Sequence, residues 1–396
     1  MSPTPVFLIL CGVGFCSFMS YNLVRMPALA PFAETLGAGP VAVGFIVAAS
    51  TMTGVFLKLP MGALSDIVSR RRLMLFGVLA FAFPPFAYPF VTDLDVLAGL
   101  RVVHGLATAV FTPLVLASVA SMYPVNRGAA LGWYTSAAQG GALLGPMLGG
   151  WLVDTVGFAQ TFLAGGVFGL LALVLYVMIL FLHPEGTPHN QIDVREVWAN
   201  FRQGLKTVIG HTQMLATSVA EAAKMMANGT LMAFLPLYAL SLGLSLAESG
   251  LLFGIQGLTS FLSKPVMGRI SDQVGRQPLI TLGLVICGAT IMGIPHVTHF
   301  LPLLCLAAGF GFGEAVVTSS SAALIADLAA PEKIGAGMGL RGTIMDIGHA
   351  SGPILAGVLI AAISYTGAFM LIGALQFLAA LGFGMITFRQ TLRSLT

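Results

Sequence analysis

Three acids stand inside long apolar stretches of this sequence: Glu221 in Glu221-Ala-Ala-Lys224-Met-Met-Ala-Asn228, Glu314 in Gly309-Phe-Gly-Phe-Gly313-Glu314, and Asp346 in Arg341-Gly-Thr-Ile-Met-Asp346-Ile-Gly-His349. A carboxylate in apolar surroundings is costly to keep charged, which suits it to taking up and releasing a proton near neutral pH. Asp346 is preferred for that chemistry, then Glu314, then Glu221. Basic groups occur in the same kind of surroundings: Arg25 in Tyr21-Asn22-Leu-Val-Arg25-Met-Pro27, Arg101 and His104 in Arg101-Val-Val-His104-Gly105, and Lys224 and Arg341. Residues three apart share a helical face, which sets Arg101 beside His104, Glu221 beside Lys224 and Asp346 beside His349.

Each basic group has a structural reading next to a functional one. Arg25 either snorkels to the membrane surface or lends positive charge to a central cavity, where it would favour an anionic group on a ligand. His104 either titrates or is a hydrogen-bonded core residue. Glu221 and Lys224 either pair structurally or line a substrate or ion path. Asn22, Arg25, Arg101, Lys224, Asn228, Gln256, Arg341 and His349 form the polar set expected to line a substrate cavity. His104 also joins the three acids as a candidate for proton coupling.

The elements that carry these groups follow from composition. The 396 residues are 57% hydrophobic and 8% charged, with mean hydropathy +0.93. A soluble domain carries about 25% charged residues, so this is a polytopic membrane protein. A bilayer-spanning helix needs about 20 residues. Polar turns divide the chain into twelve expected spans, near 5–29, 40–60, 73–91, 96–122, 129–153, 160–182, 212–240, 247–267, 278–298, 300–326, 335–361 and 367–388. Of the 18 Lys and Arg, all but Arg25, Arg101, Lys224 and Arg341 fall at turns on one side. The opposite turns carry Glu34, Asp93, Asp95, Asp154 and Glu248. By the positive-inside rule both termini are cytoplasmic and the membrane is the cell membrane. The net charge of +3 is therefore topology, and no nucleic-acid partner is expected. Ala28-Leu-Ala30 is like a signal cleavage site but runs into Pro31, so the first segment is read as an uncleaved span. Cys11, Cys16, Cys287 and Cys305 lack metal-ligand spacing and are expected as small core residues.

One stretch occurs twice. Lys58-Leu-Pro-Met-Gly62-Ala-Leu-Ser65-Asp66-Ile-Val-Ser69-Arg70-Arg71-Arg72 is repeated as Lys264-Pro-Val-Met-Gly268-Arg-Ile-Ser271-Asp272-Gln-Val-Gly275-Arg276-Gln277, at an offset of 206 (268 − 62). The turn between apolar segments is short enough to demand a tight helical hairpin, whose Asp and Arg sit at the water surface and bind helix ends or each other. The chain is a duplicated half. A second repeat, Gly141-Ala-Leu-Leu-Gly145-Pro146-Met-Leu-Gly149-Gly150, returns partly as Gly348-His-Ala-Ser-Gly352-Pro353-Ile-Leu-Ala356-Gly357. Small residues at four-residue spacing let helix backbones approach, and proline bends the helix.

These motifs resemble those of the major facilitator superfamily of secondary transporters. The duplicated loop is similar to the family's GxLxDxxxR signature, with Ser69 and Ile270 as departures. The resemblance makes Gly62, Asp66, Arg70, Arg71, Gly268, Asp272 and Arg276 gate-loop residues. The segment around Arg101 resembles a motif in which the drug–proton antiporters write Gln at the place of His104, and there the Arg is associated with proton coupling. The GxxxGPxxGG pattern at Gly141, Gly145, Pro146, Gly149 and Gly150, echoed at Gly352 and Pro353, resembles the antiporter motif.

The resemblance implies an all-α polytopic fold of twelve transmembrane helices in two pseudo-symmetric six-helix bundles, residues 1–182 and 212–396. Residues 183–211 form a cytoplasmic linker, in which Val194, Val197, Trp198, Phe201 and Leu205 suggest an amphipathic interfacial helix. It implies a substrate site between the bundles and alternating access. There is no HExxH, GxSxG or GxxxxGK[ST], so neither a hydrolase nor an ATP-driven pump is indicated, and no metal or cofactor is expected. The leading expectation is a proton-coupled efflux antiporter of small organic or amphiphilic molecules, a monomer whose partners are substrate, protons and lipid. The alternatives are a dedicated carrier of a metabolite, siderophore or lipid, as uniporter or symporter and with an anionic substrate in view, and a non-transporting sensor.

Overall fold

The computed structural model describes residues 4–67, 69–182, 210–328 and 334–395. Among them twelve long helices run in sequence: α1 (Pro5–Arg25), α2 (Pro40–Ile67), α3 (Arg70–Ala82), α4 (Leu94–Met122), α5 (Arg127–Val156), α6 (Phe158–Leu182), α7 (Thr212–Ser241), α8 (Leu246–Val274), α9 (Arg276–Gly293), α10 (Phe300–Leu328), α11 (Ile334–Ala362) and α12 (Tyr365–Leu395). No strand occurs among the described residues. Nine of the spans are long and apolar enough to cross a membrane. The exceptions are α5, whose glycine stripe dilutes its hydropathy, and α7 and α8, which carry polar and charged groups along their length. The side chains at 62–68, Gly62 and Asp66 included, the interfacial helix expected over 194–205, and Lys333 lie outside the described residues.

Local chemistry sets the helix ends. Thr4 caps α1 by accepting from Phe7 N at 3.3 Å, with Pro5 at the first helical position. The helix stops at Arg25 because Met26 precedes Pro27 and is pushed to extended backbone (φ −132°, ψ 131°). A short helix, Leu29–Thr35, continues the span. Helix α3 ends where Pro84 and Pro85 cannot donate to the preceding turn; a turn of helix and the 3-10 segment Tyr88–Phe90 follow, leaving Tyr88 fully buried.

The chain divides into two compact units, Met1–Asp193 with Gly243–Gly254, and Val194–Leu242 with Ile255–Thr396. In the first, α5 lies backbone to backbone on α1. A Cβ at Gly145 would fall 3.0 Å from Leu23 N, and one at Gly141 would collide with Phe15 O. Val13, Phe81, Phe111 and Tyr176 belong to the core packed around this pair. In the second unit α11 meets α7 in the same way: Gly348 and Gly352 abut Ala222 and Met226, and Thr230 Oγ1 donates to Gly352 O at 3.2 Å. Cys16 and Cys287 are buried and Cys11 is half-buried, but Cys305 is exposed on α10, a correction to its expected place in the core.

Candidate functional site

The close crossing of α7 and α11 brings Glu221 against Arg341, 120 residues on. Arg341 Nε and Nη2 each donate to one Glu221 oxygen, both at 2.6 Å, a bidentate fork. Ser321 of α10 places its hydroxyl 2.6 Å from Glu221 Oε2 and 2.6 Å from Val317 O. Glu221 is fully buried, and both of its oxygens are engaged.

Lys224, one turn along α7 and also buried, sits between two acids. Its Nζ is 3.9 Å from Glu221 Oε1 and 3.9 Å from Glu314 Oε1, and it donates to Thr318 Oγ1 at 3.0 Å. Glu314 and Thr318 are one turn apart on α10. Two carboxylates and two cations thus form one buried, charge-balanced cluster on three helices. Its members are not equally held: the Glu314 side chain keeps 19% of its surface exposed, against none for Glu221. Farther along α11, Asp346 is half-buried and His349 buried. Asn228 is half-buried on α7. Gln256 is buried on α8 with its Oε1 free of any hydrogen bond among the described residues, its backbone pressed against Gly311 of α10.

The first unit holds a cluster of a different kind. Arg101 on α4 is fully buried and makes no ion pair among the described residues. Its Nη2 donates to Ser50 Oγ on α2, its Nη1 donates to Tyr88 Oη at 3.3 Å, and its Nε has no hydrogen-bond partner among the described residues. Gly105, one turn on, lets α2 come close enough for the Ser50 contact, since a Cβ there would strike Ser50. Tyr88 Oη also meets His104 Nδ1 at 3.1 Å, while His104 Nε2 is buried and unsatisfied. The guanidiniums of Arg25 and Arg101 lie 5.5 Å and 5.8 Å from the centroid of the buried Tyr21 ring, within cation–π range. Arg25 Nη2 donates to Thr51 Oγ1 at 3.0 Å. Asn22 is buried on α1 and donates to its own helix at Phe18 O, 2.9 Å away.

The two hairpin turns solve one problem by different means. At the second, Gly275 takes φ +102° and lets α9 start directly after α8. At the first, Ser69 stands in the same place with φ −46°, and its hydroxyl caps α3 by accepting from Arg72 N at 3.4 Å. Arg276 is paired with Asp272 and, at 3.1 Å, with Asp327 of α10. Arg70 donates to Ser121 of α4 at 3.4 Å, and Arg71 gives its carbonyl to Tyr176 Oη at 2.9 Å. Gly268 has open space where a Cβ would stand.

Four contributors escape sequence reasoning. Ser50, Tyr88 and Ser321 are ordinary polar residues whose importance is visible only beside the charges they contact. Asp154 reads as a turn acid, yet its carboxylate accepts from Leu246 N (3.2 Å) and Ala247 N (2.6 Å), capping α8 within the first unit.

The sequence pattern of the Major Facilitator Superfamily matches residues 10–245 and again 217–394. An uncharacterised MFS-type transporter of Methanocaldococcus jannaschii is 25% identical over 89% of this chain and 88% of its own length. The multi-drug resistance efflux pump PmrA homologue of Lactococcus lactis is 27% identical over 84% of this chain and 81% of its own. The multidrug resistance protein MdtG of Serratia proteamaculans is 23% identical over 90% and 87%. Among solved structures, a bacterial homologue of the human lysosomal transporter Spinster, inward-facing and unoccupied, superposes with TM-score 0.74 at 14% identity, covering 96% of this chain and 94% of that one. A POT family transporter in complex with a thioalcohol-conjugated peptide gives 0.80 at 15%, covering 97% and 96%. At such identities the likeness speaks to the fold alone.

Proposed function

Because the chain belongs to the Major Facilitator Superfamily, and so to transporters rather than enzymes, we propose that this multi-pass membrane protein is a proton-coupled exporter of small amphiphilic organic molecules, working by alternating access. The observation that carries the proton step is the unequal hold on the two acids around Lys224. Glu221 is committed to Arg341 and Ser321; among the described residues Glu314 has the single 3.9 Å ion contact to Lys224, and it is partly open. A proton on Glu314 would release Lys224 towards Glu221 without leaving a buried charge alone, whereas a proton on Glu221 would strand Arg341. Glu314 is therefore the first candidate for the coupling acid and Asp346 the second. Export of drug-like cargo is supported by relatives named as multidrug efflux pumps. The arginine-rich ends of the helices support a cell-membrane protein with both termini in the cytoplasm, acting as a monomer.

The test is proton movement in sealed proteoliposomes with an internal pH dye, adding cationic, neutral and anionic amphiphiles in turn. Substrate-driven proton flux is expected in the parent, lost in Glu314→Gln and retained in Asp346→Asn. Substrate movement without proton flux in parent and variants alike would defeat antiport. A second reading, a dedicated carrier of an anionic metabolite, draws on Arg101, which among the described residues meets hydroxyls and a ring but no acid. Competition by anions alone would favour it.

A further inference from the structure

The arginine-bearing end of the first unit contains a cavity of about 280 Å³ between α1, α3, α4 and α6. Its floor is apolar: Leu10, Met74, Tyr176 and Ile179 are all buried. Its mouth is cationic, formed by Arg70 and Arg71, the first two residues of α3. The helix N-terminus adds partial positive charge to theirs.

The duplication shows where this mouth differs from its counterpart. Helices α4 and α10 correspond along their whole length at the offset of 206 (300 − 94), and α3 and α9 begin at that same offset. Arg276 in the second unit is met across the turn by Asp327. The residue of α4 that corresponds to Asp327 is Ser121, and Arg70 reaches it at 3.4 Å. Arg70 Nε is buried with no hydrogen-bond partner among the described residues. The position after it holds Arg71 in the first unit and Gln277 in the second. The space differs too. Leu324 and Ile280 help fill an apolar cluster in the second unit, while their counterparts Ser118 and Met74 line the open cavity in the first. One unit thus has an acid at the mouth and a leucine in the interior, where the other has a serine at each of the two positions, Ser121 and Ser118.

We propose that this cavity binds an anionic phospholipid. Its phosphate lies between Arg70 and Arg71, where Asp327 stands in the other unit, and part of an acyl chain lies over Leu10, Met74 and Ile179. The apolar floor selects lipid over a free anion, which would leave that surface uncovered. Basic pockets between membrane helices suit anionic headgroups in this way, and on the orientation proposed above the leaflet is the anionic, cytoplasmic one.

The purified full chain, in neutral detergent, is titrated with phosphatidylglycerol, phosphatidylcholine or inorganic phosphate. Bound lipid is counted by native mass spectrometry and the thermal midpoint is read alongside. One phosphatidylglycerol is expected to bind saturably and raise the midpoint, with affinity falling about fivefold in Arg70→Gln and again in Arg71→Gln. Arg72→Gln, at an exposed residue outside the cavity lining, leaves it unchanged. Ser121→Asp, which copies the second unit, expels the lipid and raises the midpoint without it. Equal binding of phosphatidylcholine, an equal loss in Arg72→Gln, binding undisturbed by Ser121→Asp, or the same stabilisation by inorganic phosphate would each overturn the proposal.

Discussion

Arg101 and Arg341 are both buried guanidiniums, one in each unit, and they are satisfied by opposite means. Arg341 is locked to a carboxylate by two short bonds, and its neighbours Lys224 and Glu314 complete a balanced set. Arg101 spreads its charge over a serine, a tyrosine hydroxyl and a tyrosine ring. Charge-assisted forks are strong and directional, while neutral acceptors are each worth about 1 kcal/mol. The second unit therefore keeps a fixed ion pair with one looser acid beside it, the contrast on which the proposed proton step rests. The first keeps a positive group that can change partners at small cost. A related contrast recurs at the hairpin turns, where Arg276 meets Asp327 and Arg70 meets Ser121 at the corresponding position.

Breaking the fixed pair gives the largest expected effect. Glu221→Gln leaves Arg341 without its counter-charge and should cost roughly 3–5 kcal/mol in detergent unfolding, much of it recovered when Arg341→Met is added. A loss that the second change does not recover would mean the pair is not the unit of stability. Gly275→Ala comes next, at about 1–2 kcal/mol, because φ +102° is strained for any side chain. The comparison sharpens at its counterpart: Ser69→Ala removes a cap worth about 1 kcal/mol, and Ser69→Gly costs only a few tenths. If both turns responded alike, their different geometries would be without energetic meaning. Arg101→Met is expected to cost under about 1 kcal/mol, since two neutral hydrogen bonds are lost and a buried charge with no ion pair among the described residues goes with them. A loss as large as that of Glu221→Gln would point to an acid partner that the described residues do not contain.

Much of the fold was legible in the residues. Apolar runs of bilayer length, with basic residues confined to alternate turns, predict helices close to those observed, because backbone groups in hydrocarbon must be satisfied within each helix. Inside the spans Pro5–Thr35 and Arg70–Phe90 the helix breaks at Arg25 and Ala82, where prolines turn the chain locally, a detail that span length does not reveal. The site was legible only in part. Spacing of three put Glu221 beside Lys224, but nothing local joined Glu221 to Arg341 or Lys224 to Glu314. From sequence Asp346 ranks above Glu314 although both fall near the middle of a span, and the reverse order proposed above draws on the packing of α7, α10 and α11.

What the sequence determined by itself was the set of helices, the duplication and the face each ionisable residue takes on its own helix, all of which follow from periods of a few residues. The tertiary structure decided the partners. Which acid meets which cation depends on where two helices cross, and the crossings are set by the glycines at 141, 145, 348 and 352, which allow backbone contact at one point and not elsewhere. A difference of about an ångström separates the 2.6 Å fork of Arg341 on Glu221, between α11 and α7, from the 3.9 Å contact of Lys224 with Glu314, between α7 and α10. Coulombic and hydrogen-bond energies change steeply over that distance, so residues of one chemical type end with different roles.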